Sequence, residues 1–403
     1  MKHKYSLLIL PLLLSLLLCA CGNNNSKNIE ASKSVVSEST KEIVTSIPDV
    51  IPSEGPIPTS EPEPEPETYR VEIIAVGDNL IHSMVIKSGL QNDGTYNYDS
   101  MYENIKDEIA YADIKIINQE TMLVSNPNSY SGYPTFGSPY EIGDAVINAG
   151  FNVITHATNH SFDKGVTGVY DSIAYWREHP EVLMTGIYES EEAYNTISVM
   201  EVNNIKIAFL NYTYSLNGFN LPSDAQYLIN TLYSEEKIKN DLEKANELAD
   251  FVIVLPHWGT EYVYEPTDYQ ISWARAFVDH GADLIIGSHP HVVEPLEILL
   301  SQDGREVPCY FSLGNFISNQ DEVPRMLGGM AKITIEMTEG EEPVIVSATM
   351  EPIVTHISSD VKEFRTYMLK DYTDELAASH YLTRKGKTVS VEKLQTLYDS
   401  IVN

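Results

Sequence analysis

Cysteine is nearly absent from this chain: there are three in 403 residues, and two of them fall within the first 21. Beyond Cys19 and Cys21 only Cys309 remains. With Cys19 leaving in an N-terminal signal and Cys21 carrying lipid, as the N-terminus suggests, Cys309 stands alone. No intrachain disulfide is then available, and the lack of thiolates argues against a structural zinc site. Cys309 sits in VPCYFSL and reads as a small buried hydrophobe in a strand. Cations are also scarce. Lys and Arg number 26 against 58 Asp and Glu, a formal net charge of −32 at pH 7. Such a surface repels phosphate backbones, so nucleic acid is not an expected partner. Polyanions in general are disfavoured unless bound cations bridge them. No internal repeat is present, and only one long apolar run occurs, at the N-terminus.

That run carries an address. MKHK is a basic stretch, and YSLLILPLLLSLLLCA is an apolar segment too short for a comfortable membrane span. It ends in LCAC, which resembles a bacterial lipobox. The expectation is a lipoprotein signal over residues 1–20, cleavage before Cys21 and lipidation of that cysteine; the alternative is an uncleaved anchor. Either way the rest of the chain is expected outside the cytoplasm, held at the cell membrane. Residues 21–68 are Asn, Ser, Glu and Pro, ending in EPEPEPE. Alternating Pro forbids helix and sheet pairing and alternating Glu repels itself, so this segment reads as an extended stalk.

Folded sequence begins near residue 69 with YRVEIIAVGDNL. Apolar runs then alternate with helical patterns. ADIKIINQE, FNVITHATNH, IKIAFLNYTY, FVIVLPHWG and ADLIIGSHPH read as strands. SPYEIGDAVINAG, SEEKIKNDLEKANELAD and TDYQISWARAFVDHG read as helices, the first capped and stopped by Gly. The rhythm predicts an α/β domain with largely buried strands. Later runs, VPCYFSLGNF, AKITIEM and PVIVSATM, lack intervening helices and read as antiparallel strands of a second sheet. The domain is expected over 69–360, with a helical appendage over 361–403.

Ligands of open α/β sheets bind at the carboxyl ends of strands, and here those ends carry a consistent set of side chains. One strand ends in Asp78, the next in Asn118 and Glu120, the next in Asn159 and His160. Others end in His257 and Glu261, in His289 and His291, and in Asn315. Each run is apolar up to the turn and then switches to oxygen or imidazole. Carboxylate, amide oxygen and imidazole together suit one or two borderline divalent ions, Mn²⁺, Fe²⁺, Zn²⁺ or Co²⁺. In two-metal hydrolases the paired ions lie ~3.5–4 Å apart. Alternatives stay open for single residues: Asp78 as a helix cap, Asn159–His160 as a plain turn, Asp163 and Glu261 as supporting or solvated groups. His156, His179, His280, His356 and His380 read as structural. Trp258, Tyr262, Tyr264 and Tyr133 read either as cleft lining or as core.

The set GD, NQE, TNHSFDKG, HWGTEY, GSHPHVVEP and SLGNF, spread over roughly residues 70–320, resembles the bacterial capsule synthesis CapA family. That family is associated with poly-γ-glutamate capsules and is similar to calcineurin-like metallophosphoesterases. The resemblance implies a metallophosphoesterase-like α/β-β-α sandwich with mixed sheets. It implies Asp78, Glu120, Asn159, His257, His289 and His291 as metal ligands, Glu120 bridging, and His160 as the proton donor to a leaving group. Two positions depart: the wider superfamily has Asp where this chain has Glu120, and it places a His two residues after the first Asp, where this chain has Leu80. His82 is a possible substitute. Two functions follow as expectations: a metal-dependent hydrolase of phosphoesters or related bonds, or a non-catalytic binding component of a capsule polymer synthesis or export complex.

Overall fold

In a computed structural model, residues 66–402 of the chain are described. The expected signal, Cys21 and nearly all of the stalk lie outside the described residues. Fourteen strands are present among them: β1 (Thr68–Asn79), β2 (Ile114–Asn118), β3 (Val153–Thr155), β4 (Leu183–Thr185), β5 (Ser198–Val202), β6 (Ile205–Thr213) and β7 (Phe251–His257), then β8 (Leu284–Ile286), β9 (Leu296–Leu300), β10 (Glu306–Tyr310), β11 (Asn315–Ile317), β12 (Leu327–Thr338), β13 (Val344–Ile357) and β14 (Phe364–Met368). They build two sheets. One runs β14-β13-β12-β1-β2-β3-β4 with β11 beside β1, and the other β5-β6-β7-β8-β10-β9. Both are mixed: β1 to β4 are parallel and β12 to β14 antiparallel to their neighbours.

Strand periodicity explains how the layers stack. Along β6, Ile207 and Phe209 join the large core shared with the first sheet, while Ala208 and Leu210 face the opposite way. That opposite face is covered by the helices Glu235–Leu248 and Asp268–Asp279 through Leu242, Ala245, Ala274 and Phe277. Both faces of β7 are buried for the same reason, and the run FVIVLP is accordingly apolar up to His257. The helix Tyr140–Ala149 covers the first sheet with Ile142, Ala145 and Val146. The result is an α/β-β-α sandwich with mixed sheets.

Three local expectations are corrected. The helix after Ser138 does end at a left-handed Gly150, but its N-cap is Pro139 and no side chain caps it. The late strands do not form a sheet of their own. β10 lies parallel to β8 in the second sheet, β11 lies parallel to β1, and β12 and β13 extend the first sheet. Residues 361–403 are not an appendage. Phe364, Thr366 and Met368 alternate inward as β14, paired to β13, and Leu369, Tyr372, Leu382, Leu394 and Tyr398 belong to the main core. A five-residue strand amid helical patterns left too short a period-2 signal to read. Cys309 is fully buried, as expected.

Register gathers the strand ends. Asp78 stands opposite Asn118 of β2 and Asn315 of β11, and Asn118 opposite Thr155 of β3. In the second sheet His257 is bridged to Ser288. Two glycines allow the close approach. A Cβ at Gly77 would lie 1.9 Å from the Gly314 carbonyl oxygen, and one at Gly287 would lie 2.1 Å from that of Phe311.

Candidate metal centre

Six side chains from the two sheets meet in one buried spot. Asp78, Glu120, His257, His289 and His291 have ligand atoms arranged as two clusters, Glu120–His257–His289 and Asp78–Glu120–His291, which share Glu120. Asn159 belongs with the first: its Oδ1 is 2.9 Å from His257 Nε2. That spacing suits two ligands of one ion, since groups each ~2.1 Å from a metal at a right angle stand roughly 3 Å apart. Glu120 Oε1 is 3.8 Å from His257 Nε2, 3.7 Å from His291 Nε2 and 4.0 Å from His160 Nε2.

Whether a cation fits can be judged from unmet hydrogen-bonding capacity. Both carboxylate oxygens of Glu120 and both ring nitrogens of His289 are buried without a hydrogen-bond partner. Buried polar groups are otherwise nearly always paired. Burial, with Asp78, Glu261 and Asp163 nearby, pushes the Glu120 carboxyl well above its ordinary range, against the opposing pull of His291. Burial, then the neighbouring imidazoles, pushes His257 and His289 well below theirs. The neutral imidazoles of His257 and His289, beside a carboxylate whose oxygens have no hydrogen-bond partner, are a donor set that a divalent cation satisfies. The residues fit the ion.

The local backbone holds this arrangement at a cost. His289 and His291 have φ of +105° and +59°, conformations that non-glycine residues rarely adopt. The turn GSHPH thereby aims both rings to the same side as Glu120. His291 Nδ1–H donates to Asp78 Oδ2 at 2.9 Å, which leaves Nε2 toward Glu120. Burial would lower His291, but Glu120 and then Asp78 outweigh it and hold it up at about 9. Asp78 is not a helix cap. Its Oδ1 accepts from Asn118 Nδ2 at 2.8 Å and from the His289 N–H at 3.3 Å.

The two clusters are unequal. The one with His257, His289, Asn159 and Glu120 offers four donors, while the one with Asp78, Glu120 and His291 offers three. Leu80 is buried and contributes none. His82 belongs to neither cluster; its Nδ1 is engaged by the Leu80 carbonyl at 3.1 Å and the Asn319 N–H at 3.2 Å. Burial pushes His82 down to about 4.

His160 lies at the rim, with Nδ1 2.7 Å from Asp163 Oδ2, and it lines a cavity of about 520 Å³. Asp163 Oδ2 also accepts from the Phe136 N–H at 2.7 Å, so Asp163 is a brace. Glu261, Tyr133 and Tyr262 line the same cavity, whereas Trp258 is core. Sequence reasoning left three supporting groups unassigned. Ser288 Oγ is 2.9 Å from His257 Nδ1, Asn118 Nδ2 is 3.3 Å from the same atom, and Asn217 Nδ2 is 3.3 Å from His160 Nδ1. Asn118 stands out in the sequence as a strand-end residue beside Glu120 and Ser288 by lying directly before His289, while Asn217 has no local signal.

A buried carboxylate shared by two donor clusters, at the carboxyl ends of strands in an α/β-β-α sandwich, defines a candidate centre for one or two divalent ions. The chain belongs to the bacterial capsule synthesis protein family PGA_cap, whose model matches residues 72–320. It is 35% identical over 179 residues to the PGA biosynthesis protein CapA of Bacillus subtilis (strain 168), which is 42% of this chain and 43% of that protein. It is 32% identical over 181 residues to the capsule biosynthesis protein CapA of Bacillus anthracis, 44% of this chain and 42% of that one. The chain thus matches less than half the length of these relatives. Among solved structures it is similar to a putative 5'-nucleotidase from Staphylococcus aureus, with 16% identity, TM-score 0.44, and coverage of 70% of this chain and 54% of that one. It is also similar to the NAD nucleotidase of Haemophilus influenzae, with 12% identity, TM-score 0.43, and coverage of 83% and 60%.

Proposed function

We propose that this chain is a metal-dependent hydrolase of a phosphoester or related bond, lipid-anchored through Cys21 at the outer face of the cell membrane, serving capsule polymer synthesis or export. The observation that carries the hydrolase reading is Glu120, buried with both oxygens unpartnered between two clusters of ligand atoms. The family and the two CapA relatives support the capsule role, with poly-γ-glutamate as the polymer. Glu120, Asn159, His257 and His289 would hold one ion; Asp78, Glu120 and His291 would hold a second. Such ions, when bound, supply Lewis acidity to an ester and lower the pKa of water.

The chain's own residues supply the rest. His160 Nδ1–H donates to Asp163, which fixes the ring and turns Nε2 to the cavity wall, where it would carry the proton to be donated. Proton donation from that position to a leaving-group oxygen would contribute ~10²–10⁴-fold in rate. His160→Asn is therefore expected to keep its metal, lose turnover of an alkyl phosphoester, and lose far less on a nitrophenyl ester. Loss of metal, or equal loss on both esters, refutes the role. Asn159→Ala and His257→Ala are expected to lower bound metal by mass spectrometry, and unchanged stoichiometry in both refutes the centre. The three-donor cluster at Leu80 favours a second reading, a non-catalytic binding component of the same machinery. A wild-type chain that holds metal but turns over neither ester selects that reading.

A further inference from the structure

The cavity in front of the metal centre has a wall of a different chemical kind. Besides His82, His160 and His291 it is lined by Arg325 and Lys385, with Tyr262 and Tyr381 beside them. Cations are scarce in this chain, yet two converge here.

The Arg325 side chain is only 22% exposed, yet its guanidinium makes no hydrogen bond among the described residues. Among the described residues its only ionic contact is to Asp321 Oδ1 at 3.7 Å, and Asp321 is 62% exposed, where solvent screening leaves such a pair worth little. A largely buried group with five N–H donors and no acceptor needs a reason. The guanidinium carbon lies 3.6 Å from the centroid of the Tyr262 ring, which holds its plane and leaves its N–H edges unused. Tyr262 is itself held at a φ of +67°, with its N–H donated to the Pro290 carbonyl at 2.8 Å, inside the turn that carries His289 and His291. Its ring centroid is 6.1 Å from that of His291. The cation is thus set one aromatic ring away from the metal centre. Lys385 Nζ lies 4.7 Å from the Tyr381 ring and reaches the same cavity from the C-terminal segment. The two acids in the lining, Glu261 and Asp321, are exposed, as is Lys385, so Arg325 is the largely buried cation of this wall. Arg325, Tyr381 and Lys385 all lie beyond the residues matched to the family.

We infer that Arg325 and Lys385 form an oxyanion subsite that binds a carboxylate or phosphate group of the substrate apart from the bond at the metal centre. A planar fork stacked on Tyr262 and making no hydrogen bond among the described residues matches the two oxygens of such a group. This rests on the reading of the cavity as the substrate site, but not on turnover.

The test is calorimetric titration of the full-length chain, stripped of metal and dialysed free of chelator. Inorganic phosphate is used in one arm and succinate in another, with succinamide as the neutral control. Wild type is expected to bind one or both anions and not the amide, and the tighter anion names the group recognised. Arg325→Gln and Lys385→Gln are each expected to weaken binding about tenfold or more, the loss typical of one charge-assisted contact. Lys387→Gln, whose lysine pairs with Glu322 at 2.7 Å and lies outside the cavity lining, is expected to bind as wild type does. Circular dichroism and metal content of each variant establish that fold and centre are intact. The subsite is refuted if wild type binds neither anion, if Arg325→Gln and Lys385→Gln bind as wild type does, or if Lys387→Gln loses as much as they do. No ester enters the titration, so a chain that hydrolyses nothing can still pass and an active hydrolase can still fail.

Discussion

Replacing Glu120 by Gln should stabilise the metal-free protein and destabilise it relative to wild type once metal is added. The carboxylate is fully buried and neither oxygen has a hydrogen-bond partner. An unsatisfied buried polar group costs about 1–3 kcal/mol, and a charged one more. Proton uptake caps that cost, because the group's pKa is raised, and the new amide is also left partly unpaired. A gain of about 1–2 kcal/mol is therefore expected in chelator. At about 2–4 °C per kcal/mol in domains of 150–250 residues, the midpoint rises by a few degrees. With Mn²⁺ the order reverses. Free metal at 100 times its dissociation constant adds about 2.7 kcal/mol to the folded wild type. An amide lacks the charge to serve both clusters, so the variant gains little. Differential scanning calorimetry of both proteins, with chelator and with Mn²⁺, reads all four values. If the variant melts below wild type in chelator, some other group already compensates the carboxylate. If metal raises both midpoints equally, Glu120 is not a ligand.

Burial pushes the Glu294 carboxyl up to about 8, against the hydrogen bond it accepts from Gln270 at 2.6 Å. Its folded pKa exceeds the ordinary 4.5, so its contribution is fully present below pH 4.5 and is lost as pH rises toward 8. Glu294→Gln should flatten that decline in urea midpoints measured across the range; an unchanged slope removes Glu294 as its source. Leu394 is fully buried in the main core, so Leu394→Ala should cost about 2–5 kcal/mol of global stability. A loss below about 1 kcal/mol would mean that the C-terminal helix docks loosely. Cys21→Ala should abolish labelling by a palmitate analogue in cells, and equal labelling of wild type and variant would remove the lipid anchor.

The sequence alone determined which side chains could belong to the centre. Each of Asp78, Glu120, Asn159, His257, His289 and His291 lies within about five residues of the end of an apolar run, and a buried strand delivers the polar residues that follow it to the same sheet edge as its neighbours do. That local rule needs no knowledge of pairing partners. Sorting the donors into a four-member and a three-member cluster did need the tertiary structure, because it depends on how two sheets meet and on the left-handed turns at His289 and His291. The same holds for the groups that brace the ligands. Asn118 serves Asp78 and His257 from 40 and 139 residues away, and Asp163 reaches His160 only because a turn brings them together. Residues 361–403 looked peripheral because β14 is five residues long, and a strand that short is specified by the partner it completes. Arg325 and Lys385 had no signal at all in the sequence. A cation's role is set by which acceptors are within reach, and only the folded chain places the Arg325 guanidinium against Tyr262 with no hydrogen bond among the described residues.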